Sequence, residues 1–427
     1  MDPNSQAMIA KQGIIDVNNL SYNLKPDLSV TTSRTTTTQF FQNQDYAENS
    51  TMVCILNTGA SFVYGPNSTL AFDIKVAKKS GTSIPELGCF FPAPGSAANI
   101  FSRITIMSRS GVVLERIDSV NQLAAIKFAY QHDASYSKTI GSMMGYVSPT
   151  FKTTSNQQQR FVIPLSLISG LFAYENLLPS ALMSGLRIEI ALTPAYQAFS
   201  LQVTDAVNND WTYGYSVINP RIQCDAYMLT DSIMRTLNEA SASSGLEIVF
   251  PTYFTTIQSR SSTLLNMESR RACSRALSAF YTEQLPVTDW IYTKSPMMSV
   301  ALNDANGPTS VQFRAGSLYF PNTAISNDNP LICAPENYQM ALQTFNKFNT
   351  ALSSNVALAD YQTNGLFVLG TTLERSTALN LTGIPLSNSR VLALNATFKS
   401  STPTTCYMFL EYVTLARVFI SNCTVEV

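Results

Sequence analysis

The sequence predicts an all-β protein of sandwich or barrel type, with few helices and two similar halves. Short runs rich in β-branched and aromatic residues follow one another closely, and Gly, Pro, Asn and Ser separate them. Similar landmarks then recur in the same order later in the chain. The first observation favours a sandwich or barrel over the alternating strands and helices of a parallel fold, and the second favours two similar halves.

Alternation of polar and apolar residues supports the strand predictions. Arg187 and Glu189 alternate with Ile188, Ile190 and Leu192, which places polar side chains on one face and apolar side chains on the other. Similar signals define the other runs in the first half. The predicted runs cover residues 50–58, 68–77, 103–117, 160–167, 186–192 and 220–229.

Two helices are predicted inside the halves. The first covers residues 119–130, where Ser119 and Gln122 have the spacing of a capping box. The second covers residues 335–348 and begins with proline in its first turn. Its apolar residues are expected to share one face, namely Tyr338, Ala341, Leu342, Phe345 and Phe348.

A hairpin turn and a short apolar motif occur once in each half. The Ser-Gly turn at Gly111 precedes the first helix, and Gly316 lies in a similar context 205 residues later. The motif "FVIP" at Phe161 matches "FVLG" at Phe367, an offset of 206 residues.

The clearest strand also has a counterpart in the second half. At an offset of 204 residues, Ile188, Ile190 and Leu192 correspond to Leu392, Leu394 and Ala396. An apolar lead-in containing proline precedes each strand, "LLPSALMSG" in one case and "LTGIPLSNSR" in the other. Gly185 is expected to let the first lead-in bend into its strand as a buried connection. These offsets predict a duplicated β domain, with a linker helix at residues 230–245 capped by Gly245.

Length and composition bound the class of protein. The 427 residues suit two domains, and 13% are charged, against roughly 25% in a typical soluble domain. Uncharged polar surfaces suit a chain surrounded by copies of itself, and the alternative is a secreted all-β domain. The net charge is −1 and the Thr-rich segment within residues 1–49 is not basic, so it is predicted to be an extended arm that does not wrap nucleic acid.

The sequence has too few histidines and too scattered cysteines for most catalytic and metal sites. His132 is the one histidine in the sequence and is expected to be a solvated loop residue. No CxxC pair occurs, so the seven cysteines are predicted to be small buried hydrophobic residues in a reducing compartment: Cys54, Cys89, Cys224, Cys273, Cys333, Cys406 and Cys423. We therefore predict no catalytic residues, no metal site and no cofactor.

Other motifs bear on phosphate, carbohydrate and nucleic-acid binding and on targeting. Phosphate-binding glycine loops are absent, whereas a glycosidase pair of carboxylates on a β scaffold stays open. Arg270, Arg271 and Arg275 form a basic cluster that suits a strand end or a subunit contact better than a nucleic-acid patch. No signal peptide is visible at the N-terminus, and no apolar run is long enough for a transmembrane helix.

The order of these pieces resembles the double jelly-roll major capsid proteins of polinton-like viruses and virophages, relatives of the adenovirus hexon. The stretches that carry the resemblance run from about residue 100 to 400: "FVIPLSLISGLFAYENLLPSALMSGLRIEIALTP", "INPRIQCDAYMLTDSIM", "SRALSAFY" and "FRAGSLYFPN". The resemblance implies two tandem jelly-roll β-sandwiches with a few short helices. It divides the chain into an N-terminal arm (1–49), a first jelly roll (50–229), a linker helix (230–245) and a second jelly roll (246–427).

The resemblance also implies a function. Three copies would form a pseudo-hexameric homotrimer that tiles an icosahedral shell around a double-stranded DNA genome, assembled inside the host cell and found in the virion. Its partners would be neighbouring capsomers, penton and minor capsid proteins and, at the inner face, the genome or an internal membrane. No small-molecule substrate is expected. The alternatives are a single-jelly-roll capsid protein of a small RNA or single-stranded DNA virus, and a carbohydrate-binding or carbohydrate-cleaving β-sandwich protein.

Overall fold

The structure is a computed structural model. It describes residues 31–78, 88–91, 95–146, 151–152, 158–202, 213–284, 307–326, 330–348, 354–363, 366–374, 382–419 and 423–426.

The strands of the first half, residues 31–229, form two principal sheets. They are β1 (Thr31–Phe40), β2 (Asp45–Ala47), β3 (Thr51–Ile55), β4 (Phe62–Lys78), β5 (Gly88–Phe90), β6 (Phe101–Met107), β7 (Val113–Asp118), β8 (Phe151–Lys152), β9 (Gln158–Pro164), β10 (Leu177–Leu178), β11 (Arg187–Leu192), β12 (Ser200–Gln202) and β13 (Tyr213–Leu229). One sheet has the order β1-β13-β4, with β9 and β10 on β4 and β2 on β13, and the other has the order β3-β11-β6-β7. All these pairs are antiparallel.

The second half repeats this arrangement. Its strands are β14 (Leu246–Arg260), β15 (Leu264–Ser269), β16 (Cys273–Gln284), β17 (Pro308–Ala315), β18 (Leu318–Ser326), β19 (Leu369–Thr372), β20 (Ile384–Leu386), β21 (Leu392–Phe398), β22 (Thr404–Val418) and β23 (Cys423–Glu426). The sheet orders are β14-β22-β16, with β19 and β20 on β16, and β15-β21-β17-β18. Strand β23 pairs with β22, and the first half also contains a three-stranded sheet, β12-β5-β8. The principal sheets have the same strand order in the two halves, so the chain contains two tandem jelly-roll sandwiches.

The helices lie in the connections. They are α1 (Val120–Gln131), α2 (Ala134–Lys138), α3 (Ile140–Met143), α4 (Leu165–Ile168), α5 (Ser180–Met183), α6 (Ala195–Ala198), α7 (Asp231–Ser243), α8 (Pro330–Thr344) and α9 (Leu358–Thr363), with a 3₁₀ turn at Ala97–Ile100. Helix α1 follows β7 and α8 follows β18, so they occupy equivalent places in the two sandwiches. Helix α7 joins the sandwiches and ends at Ser243, and Gly245, two residues later, has a φ of +77°, the left-handed conformation predicted for its cap.

The sequence landmarks predicted to occur in both halves lie at equivalent places in the two sandwiches. Gly111 and Gly316 have φ values of +82° and +62° and lie in the turns of the β6–β7 and β17–β18 hairpins. Strands β11 and β21 occupy matching central places, and their apolar residues are buried. The lead-in before β11 contributes buried Leu182 and Met183, and Gly185 bends with φ +96°, as expected.

Two local predictions are wrong. Ser119 caps α1 without a side-chain hydrogen bond, because its φ of +57° is left-handed, so the capping box with Gln122 does not form. Helix α8 begins at Pro330, five residues earlier than predicted, and ends at Thr344. Of its predicted apolar face, Phe348 therefore lies beyond the helix and is 46% exposed.

Residues 31–40, assigned to the arm from the sequence, form an edge strand of the first sandwich. Strand β1 pairs antiparallel with β13, from Thr31 opposite Leu229 to Phe40 opposite Arg221. Most of its side chains are exposed, so apolar alternation is not needed, and its β-branched threonines still favour an extended chain. The sequence pattern therefore could not separate this strand from an arm.

Candidate functional site

A buried carboxylate lies where the two sandwiches meet, a surface we call the seam. Glu115 of β7 accepts hydrogen bonds from Ser169 Oγ (2.5 Å), Gly170 N–H (2.8 Å), Leu171 N–H (3.4 Å) and, across the seam, Thr252 Oγ1 of β14 (2.7 Å). Burial raises the pKa of Glu115, and these four donors oppose that shift. The carboxylate thus holds a loop of the first sandwich to a strand of the second.

A half-buried cation, Lys127, lies in the same seam. The Nζ of Lys127 in α1 donates to the carbonyl of Leu167 at 3.0 Å and lies 5.4 Å from the centroid of the Tyr253 ring of β14. Burial lowers the pKa of Lys127, while the charges of Glu411 and Glu115 act against that shift. The Tyr253 hydroxyl donates to Glu411 at 2.9 Å. Buried polar groups of this kind fix the relative position of two surfaces because any slip leaves them unpaired.

The two backbones also approach closely at the seam. A Cβ placed on Gly170 would lie 1.6 Å from the carbonyl oxygen of Pro251, so only glycine fits there. Thr255 of β14 donates from Oγ1 to the carbonyl of Asp118 at 2.6 Å. Strand β7 therefore lies directly against β14.

Helix α1 is enclosed between the sandwiches. Ten of its twelve residues are buried. The Tyr130 ring stacks on Phe345 with centroids 5.2 Å apart, and its hydroxyl donates to the carbonyl of Leu366. The N–H of Asn355 donates to the carbonyl of Ala129 at 3.0 Å. The first sandwich thus presents β7 and α1 to the second, which receives them on β14 and on the segments around α8 and α9.

The equivalent surface of the second sandwich is uncovered. None of the nine residues of β18 is buried, and Leu318 and Tyr319 are each 44% exposed. In α8, four of the twelve residues from 333 to 344 are buried, and Glu336, Gln339 and Gln343 are exposed. We call this surface, formed by β18 and the outer side of α8, the free F face.

The counterpart of β14 in the first sandwich is uncovered as well. Five of the fifteen residues of β14 are buried, whereas none of residues 32–40 in β1 is. Phe40 is 69% exposed, and Ile55 at the end of neighbouring β3 is 49% exposed. We call this surface, formed by β1 and β3, the free B face.

The single histidine lies at the seam and is not a solvated loop residue. The His132 ring is half-buried and stacks on Tyr136, with centroids 3.8 Å apart and planes at 8°. Burial, together with the positive charges of Lys127 and Lys347, lowers the pKa of His132 to about 4. Its imidazole is therefore neutral at pH 7.

The arginine cluster divides between two environments. Arg271 is half-buried, with its guanidinium 5.0 Å from the centroid of the Tyr412 ring, in a cleft of about 460 Å³ beside the seam that Arg116 and Asp118 also line. Arg270 and Arg275 are exposed. The contact of Arg271 agrees with a structural role at a packing surface.

The prediction of buried thiols is confirmed for five cysteines. Cys54, Cys224, Cys273, Cys406 and Cys423 are buried, and Cys333 is half-buried. Burial raises the pKa of Cys54 to about 12 and that of Cys224 to about 11, so these thiols stay protonated. The side chain of Cys89 lies outside the described residues. In the part of the chain that the structure describes, no three His, Cys, Asp or Glu residues gather into a possible metal site.

No helix in the described ranges combines the length and apolar character that crossing a membrane requires.

Sequence reasoning missed the residues of the seam. Glu115 and Lys127 lie in "VVLERI" and in α1, where a charged side chain ordinarily points to solvent. Their burial depends on the second sandwich, far away in the sequence. The one available signal was the run from Leu123 to Tyr130, in which every residue except Lys127 is apolar, as is typical of a helix covered on most sides.

Comparison with known proteins shows similarity of fold. No protein-family model and no curated protein sequence matches the chain. Its structure resembles that of VP54 of PBCV-1, as fitted into a reconstruction of the virophage Sputnik, with a TM-score of 0.63 and 8% identity over 95% of this chain and 100% of that one.

Two further solved structures agree. A chain of the Sputnik virophage has a TM-score of 0.60 and 11% identity over 95% of this chain and 91% of its own. The Faustovirus major capsid protein has a TM-score of 0.58 and 8% identity over 96% of each chain. Two sandwiches in one chain rule out the single-jelly-roll alternative, and the double jelly roll that the sequence resemblance implied is confirmed as the fold.

Proposed function

We propose that the chain is the structural major capsid subunit of a double-stranded DNA virus or virus-like element. Three copies would close into a pseudo-hexameric ring, and such rings would tile an icosahedral shell. The proposal places the protein in the virion after assembly inside the host cell. It rests on the fold shared with capsid proteins over nearly the whole chain and on the two free faces.

The observation that carries the proposal is the complementarity of those faces. Within the chain, β7 and α1 of the first sandwich cover β14 of the second. The equivalents of both partners, the free F face and the free B face, are largely exposed, one on the second sandwich and one on the first. In such a contact, the free F face of one copy binds the free B face of the next copy. Repeating this contact produces a closed ring when the rotations between successive copies add up to a full turn. Six similar sandwiches then come from three chains.

Composition supports the same role. With 13% charged residues, identical copies repel one another little, and burying Thr or Asn costs less than burying Lys or Glu. Weak contacts between rings are sufficient because many of them act together.

The proposed units follow the sheets. The first jelly roll covers residues 31–229, which adds β1 and β2 to the boundary of 50 expected from the sequence, and the second covers 246–427. Residues 230–245 form the linker, and residues 1–30 remain assigned to an N-terminal arm.

The proposed role is not enzymatic and requires no cofactor or small-molecule substrate. Neighbouring copies are the main partners. Penton and minor capsid proteins, and the genome or an internal membrane at the inner face, remain part of the proposal.

Light scattering and electron microscopy of the purified protein test it. A native mass near 140.4 kDa, three times 46.8 kDa, and particles with a pseudo-hexagonal outline are expected. A stable monomer at micromolar concentration would contradict the proposal. If that monomer also bound glycans on an array or hydrolysed glycosidic bonds, the carbohydrate alternative would replace it.

A further inference from the structure

Each sandwich carries an acid at the same place on the sheet that ends in β1 or β14. In the sheet β1-β13-β4, Thr36 lies opposite Asp225, and in the sheet β14-β22-β16, Tyr253 lies opposite Glu411. In both pairs the hydroxyl donates to the carboxylate, from Thr36 at 3.1 Å and from Tyr253 at 2.9 Å. The two acids therefore occupy equivalent positions.

The cation that accompanies each acid comes from a different place. In the seam, Lys127 of α1 lies 5.4 Å from the centroid of the Tyr253 ring. Burial lowers the pKa of Lys127, and the charge of Glu411 opposes that shift, so this acid meets a cation from the facing sandwich. In the first sandwich, Arg34 of β1 donates from Nη2 to Asp225 Oδ2 at 2.7 Å. The free B face therefore supplies its own cation.

Arg34 keeps donors for a second acid. Between Arg34 and the described residues one hydrogen bond forms, through Nη2, and its side chain is 60% exposed. Arg160 of β9, on the same sheet, is 58% exposed but binds Asp73 through both Nε and Nη2, at 2.7 and 2.9 Å. A guanidinium carries five N–H donors in a planar fork. Arg34 can thus bind a further carboxylate without leaving Asp225.

The outer side of α8 presents such a carboxylate. Glu336, Gln339 and Gln343 are exposed and lie three and four residues apart, so they share one side of the helix. Helix α8 is the equivalent of α1, whose Lys127 lies beside β14. The contact between copies described under the proposed function places the outer side of α8 against β1 of the next copy. Residues 333–344 contain Glu336 and no Lys or Arg, so the free F face brings an acid where the seam brings a lysine.

We propose that Glu336 of one copy binds Arg34 of the next, so that Arg34 bridges this acid and Asp225 of its own chain. The pair is the counterpart between copies of Lys127 and Glu411, with the cation moved from the F side to the B side. The inference rests on the ring of the proposed function and names the side chains that match its two free faces. Complementary charges of this kind fix the register of a contact and exclude wrong partners.

Charge exchange tests the pair, with assembly measured by analytical ultracentrifugation over a range of concentrations. Glu336→Lys sets a cation against Arg34 and should raise the concentration for half-assembly about tenfold, and Arg34→Gln, which leaves Asp225 facing Glu336, about threefold. Both residues are exposed, so circular dichroism should be unchanged. The double variant should assemble like the unmodified protein, because the introduced lysine meets Asp225 as Lys127 meets Glu411 in the seam.

Arg160→Gln is the matched control. Arg160 lies on the same sheet with nearly the same exposure, three strands and about 14 Å from β1. It should neither weaken assembly nor restore it to Glu336→Lys. Equal rescue by Arg160→Gln and Arg34→Gln would show that net charge alone matters and would overturn the pair. Full assembly of Glu336→Lys would overturn the pair and leave the ring standing, whereas an unmodified protein that stays a single chain would overturn both.

A zero-length crosslink gives a readout that does not depend on weakened assembly. Arg34→Lys keeps the charge and supplies an amine, which a carbodiimide joins to a nearby carboxylate as an amide while the reagent takes up the water. In protein assembled from a mixture of heavy and light chains, we expect mixed-isotope products joining positions 34 and 336. Arg160→Lys should give no product with position 336. Absence of the mixed product from Arg34→Lys would overturn the pair even if the charge variants failed to fold.

Discussion

Helices α1 and α8 occupy equivalent positions in two sandwiches of the same topology, yet their surroundings differ. Ten of the twelve residues of α1 are buried, against four of the twelve residues from 333 to 344 in α8. The second sandwich covers α1, whereas nothing in the described chain covers the outer side of α8. The same contrast separates β7 from β18 and β14 from β1. The chain therefore contains two versions of each of these faces, and the seam buries one version of each.

The covered face of the first sandwich and the free F face of the second also carry different kinds of side chain. The covered face carries a buried acid, Glu115, which accepts from Thr252 across the seam, and a half-buried lysine, Lys127, which lies near the Tyr253 ring. The hairpin equivalent of Glu115 on the free F face is Phe320, next to the exposed Leu318 and Tyr319. The permanent contact is thus specified by polar pairs, and the free one presents apolar side chains suited to association after folding.

A charge on the free F face should produce the largest effect. Tyr319→Asp would place a carboxylate in the proposed contact between copies without disturbing a buried residue, since Tyr319 is 44% exposed. We expect the native mass to fall from about three chains to one while circular dichroism is unchanged.

The control is the same substitution on exposed α7, Thr236→Asp, which should leave the native mass unaltered. If Tyr319→Asp still assembled like the unmodified protein, β18 would not belong to the contact between copies.

On the covered side, Glu115→Ala should destabilise the folded chain by about 4 kcal/mol, because it leaves buried donors without an acceptor. Glu115→Gln keeps the shape and one acceptor, so it should cost less. Urea unfolding at fixed protein concentration measures both. Equal stability of Glu115→Ala and the unmodified protein would show that the seam does not depend on this carboxylate.

The pH dependence of the Glu115→Gln variant sharpens the same comparison. Burial raises the folded pKa of Glu115 above the ordinary value of 4.5. Its contribution to stability is therefore fully present below pH 4.5 and is lost as the pH rises through the folded pKa. Glutamine does not titrate, so the stability advantage of the unmodified protein over the variant should shrink as the pH rises above 4.5.

The close approach at Gly170 should give a smaller but clear effect. Gly170→Ala forces a methyl group towards the Pro251 carbonyl and should cost about 3 kcal/mol by pushing the sandwiches apart. Gly111→Ala is the matched control, because it meets no atom within 4 Å and costs only the left-handed backbone, about 1 kcal/mol. Equal losses of thermal stability in the two variants would contradict close packing at the seam.

The sequence was sufficient for the features that short-range patterns determine. Alternation located β11, the Gly111 and Gly316 hairpins located the duplication, and Gly245 located the end of α7. Strand β1 was not recognised, because an edge strand exposed on both faces needs no apolar pattern. The start of α8 was misplaced because Pro335 was taken as its first turn, whereas the helix begins at Pro330 and contains Pro335 within it.

The seam itself could not be predicted in the same way. A glutamate within "LERI" has the pattern of a solvent-facing residue, and only the folded arrangement brings Thr252 and Gly170 to it. His132 shows a similar limit, since the polar sequence around it predicted solvent, whereas its ring is half-buried against Phe128 and Tyr136. Contacts between distant segments leave almost no trace in local patterns.

His132 should give the smallest effect and a distinct pH signature of the seam. Desolvation, with Lys127 and Lys347 nearby, lowers its pKa from 6.5 to about 4, and the charge of Asp133 acts in the opposite direction. The unfolded chain therefore binds a proton at a higher pH than the folded chain, so stability is lost as the pH falls from 6.5 towards 4.

The variant His132→Phe keeps a ring to stack on Tyr136 and removes the titration. Between pH 6.5 and 5, we expect the unmodified protein to lose about 1 kcal/mol more than the variant in urea unfolding. If both proteins lost the same amount of stability, His132 would titrate as in water, and neither its burial nor the nearby lysines would act on it. Lys347→Ala, which removes the positive charge contributed from the second sandwich, should reduce the difference in part.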